Sequence, residues 1–97
     1  MRTAAKVDTN QADIVKALRK AGATVQPLHT VGAGCPDLLV GVQGSNKLLE
    51  VKDGDKAPSA RKLTPDQVEW HAEWNGEPVY IVCSPEQALE AVGLLKP

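Results

Sequence analysis

Aromatic residues are scarce in this sequence, which contains no phenylalanine, two tryptophans and one tyrosine. Aliphatic side chains must therefore fill the core of the single domain that 97 residues allow. Only two cysteines are present, Cys35 and Cys83, and without a CxxC spacing they indicate neither a zinc site nor a disulfide framework. No apolar run approaches the roughly 20 residues that cross a bilayer, and the first residues lack the apolar segment of a secretory signal. We therefore expect a cytoplasmic protein with no membrane partner.

An excess of basic residues is also missing. Eleven Lys and Arg stand against twelve Asp and Glu, which gives a formal net charge of −1, whereas DNA-binding domains are usually basic. Acidic side chains that bind a cation would have part of this negative charge neutralised. The net charge therefore argues only weakly against nucleic-acid binding, and the local distribution of charge matters more.

Residues 37–52 carry the most informative pattern in the chain. Two apolar runs of strand length flank the polar residues 43–46, and this arrangement is the sequence signal for a β-hairpin. With residues 43–46 as the loop, Val42 would pair with Lys47. One face of this hairpin would then contribute to the core through Leu38, Val40 and Val51.

Three charged residues lie at the open end of the predicted hairpin. Because side chains alternate between the two faces of a strand, Asp37, Glu50 and Lys52 would share the face opposite to the core. In the predicted register, Asp37 and Glu50 are diagonal neighbours with Cα atoms roughly 7–8 Å apart. Two carboxylates this close can hold one divalent cation, and hard oxygen ligands suit Mg²⁺. The same pattern also fits a surface hairpin in which Asp37 and Lys52 form an ordinary cross-strand ion pair.

A longer stretch resembles a known family. Pro36-Asp37, followed after twelve residues by Glu50-Val51-Lys52, resembles the signature of the PD-(D/E)XK nuclease superfamily. The runs 36–41, 49–54 and 62–71 are similar to those of the stand-alone VRR-NUC (virus-type replication-repair nuclease) domains of phages and bacteria. The resemblance covers nearly the whole chain and implies one nuclease domain over residues 1–97. These runs in this order are more specific than the bare signature.

The resemblance implies a metal-dependent phosphodiesterase that acts on DNA. Asp37 and Glu50 would bind Mg²⁺ or Mn²⁺ together with the backbone carbonyl of Val51. Lys52 would position or activate the attacking water, and hydrolysis would leave a 5′-phosphate. The alternative from another class is a non-catalytic DNA-structure-binding or dimerisation module that retains the nuclease fold.

Two further residues match positions that the family uses near its site. Gln67 would lie near the active site, where an amide can orient a water or a phosphate oxygen, although it also completes a helix capping box with Thr64. Asp13 matches an acidic position on the first helix, but its side chain is one methylene shorter than the common Glu. We therefore expect Asp13 to reach the metal through water, and its position near a helix N-terminus is the structural alternative.

The resemblance also implies a Holliday-junction resolvase that acts as a homodimer in replication, repair or recombination, in a bacterial or phage-infected cell. No residue indicates junction specificity, so flap, splayed-arm and duplex substrates remain open. Trp70 and Trp74 lie one turn apart on a predicted helix, and we expect them at the dimer interface.

Caps and hydrophobic periodicity predict the element order α-β-β-β-α-β-α. This order is the αβββαβ core of restriction-endonuclease-like α/β folds, a small mixed sheet flanked by helices, with a C-terminal helix added. Residues 1–8 would form a loose arm and Thr9 would cap the first helix. The remaining predicted elements are a helix over 10–21, an edge strand over 23–28, the hairpin, a surface loop over 53–62, a helix over 65–74, a fully buried strand over 78–83 and a final helix that a second capping box opens at Ser84.

Positive charge gathers in the loop directly after the hairpin. Lys56, Arg61 and Lys62 would contact DNA phosphates there, because loops beside an active site often contribute substrate contacts. The alternative is a solvated connector. Of the two histidines, we expect His29 to be solvent-exposed in a loop and His71 to be a surface or interface residue, although His71 could also act on DNA.

Overall fold

A four-stranded mixed sheet forms the centre of the structure, a computed structural model that describes residues 9–94. The predicted arm at residues 1–8 lies outside the described residues, as do residues 95–97, which include Leu95 of the predicted final helix. The predicted element order and the α/β class are confirmed. In chain order, the elements are α1 (Gln11–Lys20), β1 (Thr24–Pro27), β2 (Leu38–Val42), β3 (Ser45–Val51), a 3₁₀ turn (Pro58–Arg61), α2 (Pro65–Glu73), β4 (Tyr80–Val82) and α3 (Pro85–Ala91).

The strands lie in the order β1-β2-β3-β4. The first three are antiparallel neighbours, whereas β4 pairs with β3 in parallel after the chain crosses over through α2. Pro27 ends the edge strand β1, where its missing N–H interrupts no ladder. Among residues 9–94, no helix has the length and apolar character needed to span a bilayer.

The hairpin is present, but the predicted register is wrong by two residues. Val42 pairs with Ser45 and not with Lys47, so the turn contains only Gln43 and Gly44. Their φ values are 48° and 78°, as a type I′ turn requires, and the twist of this turn matches that of the flanking strands. Because the shift is even, every side chain stays on its predicted face.

The core lies between one face of the sheet and the helices α1 and α3. The two helices also contact each other. The buried apolar residues of this layer include Ile14, Leu18, Leu38, Val40, Leu49, Val51, Val82, Ala88 and Val92. The opposite face of the hairpin carries the charged residues and is partly covered by α2.

The start of α1 differs from the prediction by one residue. Asn10 and not Thr9 is the N-cap, and no side-chain cap hydrogen bond forms there. The Nδ2 of Asn10 instead donates to the carbonyl oxygens of Lys52 (3.1 Å) and Cys83 (2.8 Å). Thr9 donates to Asp53 across the same junction. Asn10 thus links the start of α1 to the residues that directly follow β3 and β4.

The fourth strand is shorter and more exposed than predicted. The prediction of a fully buried strand over 78–83 is wrong, because β4 has three residues and lies at the edge of the sheet. Helix α3 covers one face, where Val82 is 2% exposed, while Ile81 on the other face is 51% exposed. An apolar run cannot show whether both faces of its strand are covered.

The second capping box is half formed. Ser84 accepts a hydrogen bond from the backbone N–H of Gln87, as predicted. The Gln87 side chain accepts from the N–H of Cys83 and not from that of Ser84. The helix still begins where the sequence places it, because one side-chain acceptor is enough to satisfy a terminal N–H.

Candidate active site

Three charged side chains are buried at the end of the hairpin beside α2. Asp37 is 8% exposed, Glu50 1% and Lys52 9%. Side chains of this kind are almost never fully buried unless they are paired or bind a ligand. Their burial therefore marks a site whose polar contacts have to be accounted for one by one.

Asp37 lies just before β2 and is fixed by hydrogen bonds with β3. Its backbone N–H donates to the carbonyl oxygen of Leu49 at 3.1 Å. Its carboxylate oxygen Oδ2 accepts from the N–H of Val51 at 2.6 Å. The buried ring of Pro36 precedes it and removes one backbone donor at the entry to β2. The Asp37 carboxylate thus lies against the backbone segment that carries Glu50.

Both oxygens of the Glu50 carboxylate are held by α2. Gln67 Nε2 donates to Oε2 at 3.1 Å, and His71 Nε2 lies 3.1 Å from Oε1. His71 does not lie on the open surface, since its side chain is 14% exposed and contacts Glu50; a place at an interface stays a prediction. The i, i+4 spacing of Gln67 and His71 places both on one helix face and could have indicated a shared partner.

Gln67 connects the helix cap to the catalytic candidates. Its Oε1 accepts from Lys52 Nζ at 2.8 Å and from the Thr64 N–H at 2.9 Å. The Thr64 hydroxyl in turn accepts from the Gln67 N–H, which completes the predicted capping box. The structural and the site interpretations of Gln67 therefore hold together, because one amide serves the helix end, Lys52 and Glu50.

A glycine brings α2 close to the strand that carries Asp37. Gly34 has a φ of 86°, in the region that favours glycine. A Cβ at this position would lie 2.3 Å from the carbonyl oxygen of Asp66, in the first turn of α2. Only a residue without a side chain permits this approach, which places Gln67 within reach of the sheet.

The charges of the site act on His71. Burial lowers the pKa of His71, and the positive charge of Lys52 lowers it further, while Asp37 opposes the shift. Since a carboxylate only accepts hydrogen bonds, Nε2 carries the hydrogen and donates it to Glu50.

The donor set of the site fits a hard divalent cation. Within residues 9–94, no group of three or more His, Cys, Asp or Glu side chains could hold a metal. Zinc sites need three or four protein ligands, whereas Mg²⁺ binds through one or two carboxylates and keeps several waters. Asp37 and Glu50 supply two such carboxylates, both buried on the same face of the hairpin.

Comparison with known proteins identifies the fold. A solved structure described as a "VRR_NUC domain" is similar to this chain, with a TM-score of 0.62 and 28% sequence identity over 86% of this chain and 89% of that one. This similarity in fold and sequence supports the predicted VRR-NUC domain. The similarity, like the sequence motifs, favours a nuclease domain. No protein-family model matches the chain, and no curated protein matches it.

The aromatic side chains of the domain line an open groove. The rings of Trp70 and Trp74 stack with centroids 4.7 Å apart, and Trp74 is 47% exposed. Together with Leu39 and Leu48 they border a groove of about 450 Å³ on the sheet face that carries the charged residues. The ring of Trp70 also lies nearly perpendicular to that of His71, with centroids 6.4 Å apart. The groove thus adjoins the site through α2.

The three basic residues predicted to contact DNA lie in the connection between β3 and α2. Lys56 and Lys62 are exposed, whereas Arg61 is half buried. Arg61 ends a 3₁₀ turn, Pro58–Arg61, in what the sequence predicts as an irregular loop. Its Nε atom is buried and finds no hydrogen-bond partner within residues 9–94. Their contacts with DNA stay a prediction.

Two other predicted positions are Asp13 and His29. Asp13 is exposed on the first turn of α1, and its contact with the metal through water stays a prediction. His29 is half buried and not solvent-exposed as expected, with Nδ1 enclosed. The loop folds back on itself through hydrogen bonds from Val31 to Leu28 and from Cys35 to Gly32, which explains the enclosure.

Proposed function

We propose that this VRR-NUC domain is a metal-dependent endodeoxyribonuclease. The observation that carries the proposal is the burial of Asp37, Glu50 and Lys52 in one hydrogen-bonded site. Burying a carboxylate costs several kcal/mol unless a cation and hydrogen bonds compensate. A module that only binds DNA would gain nothing from two carboxylates beside a phosphate, which they repel. This favours the nuclease over the non-catalytic alternative.

Each residue of the site has a role in this proposal. Asp37, Glu50 and the backbone carbonyl of Val51 would hold one Mg²⁺ or Mn²⁺ ion. When bound, such an ion lowers the pKa of water and offsets charge on the scissile phosphate. Lys52, held at 2.8 Å by Gln67, would orient the attacking water and stabilise charge that develops on the phosphate. Hydrolysis would leave a 5′-phosphate.

The basic connection supplies the DNA contacts. Lys56, Arg61 and Lys62 follow the strand that carries Glu50 and Lys52, so a bound phosphate backbone can run from the site along this loop. Such contacts fix the position of DNA without reading its sequence. Each of these contacts should contribute about one unit to the slope of the logarithm of the DNA-binding constant against the logarithm of the salt concentration.

The substrate in this proposal is branched DNA, cleaved by a homodimer in the manner of a Holliday-junction resolvase. A two-fold dimer presents two identical sites, which suits paired incisions on a nearly symmetric junction. The groove of Trp70, Trp74, Leu39 and Leu48 supports an interface, because it exposes stacked aromatic surface beside the site.

Cleavage of end-labelled DNA tests the proposal. A synthetic four-way junction, a flap and a linear duplex are incubated with Mg²⁺ or Mn²⁺ and the wild type, Glu50→Ala, Lys52→Ala, or Glu73→Ala as an exposed control. We expect symmetric nicks on the junction, with rates about 10²–10³-fold lower in the two site variants and unchanged in the control. A junction that is retarded in a gel but stays uncut would support the binding module instead.

A further inference from the structure

We infer that His71 is a positioning residue that fixes the Glu50 carboxylate for metal binding. The inference deepens the proposed function and rests on it, because it presumes that Glu50 is a metal ligand. His71 has no assigned role in the motif Asp37, Glu50, Lys52 and Gln67. Its contact with Glu50 gives it one.

The two donors to Glu50 form a clamp. Gln67 occupies one carboxylate oxygen and His71 the other, each at 3.1 Å. Both donors project from α2, one helical turn apart, so the helix holds them at a fixed separation. A carboxylate held at both oxygens cannot rotate about its last side-chain torsion. The clamp therefore sets the plane of the Glu50 carboxylate.

His71 is itself restrained. Its ring packs edge-on against Trp70, at an interplanar angle of 81°, and its side chain is 14% exposed. Glu50 is 1% exposed, so bulk water has little access to take over the role of a lost donor. The orientation of Glu50 thus depends on the protein and not on solvent.

The clamp leaves Glu50 able to bind a cation. A carboxylate offers about four lone-pair sites, so an oxygen that accepts one hydrogen bond can also coordinate a cation. Direct ligation through Nε2 of His71 would require its contact with Glu50 Oε1, at 3.1 Å, to break. Residues that hold a metal ligand in place typically change metal affinity about 10–100-fold when replaced.

Titration with Mn²⁺ in the absence of DNA tests the inference. Isothermal calorimetry gives the Mn²⁺ Kd of the wild type, His71→Leu, His71→Gln, Glu50→Ala and the matched control Val68→Ala on the exposed face of α2. We expect His71→Leu to weaken binding about 10–100-fold. His71→Gln should retain a Kd within several-fold of the wild type, because its amide nitrogen can replace Nε2 as the donor. Val68→Ala should leave the Kd unchanged.

Melting curves separate positioning from folding. If His71→Leu has a raised Mn²⁺ Kd but melts at the same temperature as Val68→Ala, the result supports a positioning role for His71. If His71→Leu does not fold, His71→Asn replaces it, since that shorter amide cannot reach the Nε2 position and should weaken binding where His71→Gln does not. Equal Kd values for wild type and His71→Leu, or for His71→Asn and His71→Gln, would overturn the inference.

Two outcomes distinguish this inference from the proposed function. Wild-type protein that binds no Mn²⁺, or Glu50→Ala that binds it normally, would overturn the metal-dependent function together with the clamp. Loss of binding in Glu50→Ala with normal binding in His71→Leu would overturn the clamp alone. Electron spin-echo spectra of the Mn²⁺ complex with ¹⁵N-labelled histidine add a check, because coupling to a directly bound imidazole nitrogen would make His71 a ligand and refute a positioning role.

Discussion

Replacing Gly34 with alanine should destabilise this domain more than the same change at any glycine in open space. Gly34 has a positive φ, and a left-handed backbone costs an alanine about 1–2 kcal/mol. The new Cβ would also lie 2.3 Å from the Asp66 carbonyl oxygen, a backbone atom that cannot rotate away. Such overpacking costs about 1–3 kcal/mol. The sum is about 2–5 kcal/mol of unfolding free energy.

Gly44 provides the matched control. Its φ is 78°, close to the 86° of Gly34, but nothing lies within 4 Å of a Cβ built there. Gly44→Ala should therefore cost only the conformational part, about 1–2 kcal/mol. The difference between the two variants isolates the contact with Asp66.

Thermal unfolding followed by circular dichroism measures both variants. In a domain of this size, 1 kcal/mol corresponds to about 4–8 °C in Tm. The Tm of Gly34→Ala should therefore be at least about 8 °C lower than that of the wild type. It should also be lower than the Tm of Gly44→Ala. Well below its Tm, Gly34→Ala should also bind Mn²⁺ more weakly, because a displaced α2 withdraws Gln67 from Glu50. Equal Tm losses in the two variants would refute the claim that close packing at Gly34 holds α2 in place.

Three further perturbations test other contacts. Asn10→Ala removes the side-chain amide that donates to two carbonyl oxygens. The free energy of unfolding measured by urea titration should fall by about 1–3 kcal/mol. An unchanged urea midpoint would contradict this expectation. Hydrogen bonds from Lys47 and Tyr80 hold the pKa of Glu77 below its ordinary 4.5. The stabilisation of the fold by these bonds is therefore present above pH 4.5 and lost as the pH falls through the lowered pKa. Glu77→Gln should lower the Tm at neutral pH and leave it unchanged in acid. Trp74→Ala should shift the sedimentation coefficient to that of a monomer if the groove is the dimer interface, and an unchanged dimer would exclude that interface.

Much of the fold follows from local patterns in the sequence. Period-two alternation assigns the faces of the hairpin correctly even though the register is wrong, because an even shift preserves them. The capping box at Thr64 depends only on residues three apart and forms as predicted. The turn at Gln43 and Gly44 was missed because a glutamine at positive φ is uncommon.

Non-local features of the site could not be read in this way. The contact between His71 and Glu50 joins residues 21 positions apart, and spacing on α2 shows only that His71 shares a face with Gln67. The exposure of Ile81 depends on which side of the sheet α3 covers. Both are decided by tertiary packing and not by any property of the neighbouring residues.

The helix that completes the site has little apolar anchorage. None of the residues of α2, Pro65–Glu73, all of which are described, is buried, although its side chains reach Glu50 and Lys52 in the sheet. Detaching it exposes far less apolar surface than breaking the layer of Leu38, Val40 and Leu49. Amide hydrogens of α2 should therefore exchange with deuterium faster than those of β2 and β3, through an opening that leaves the sheet intact. Such an opening would reversibly remove the contacts of α2 with Glu50 and Lys52, and so inactivate the site, without unfolding the domain.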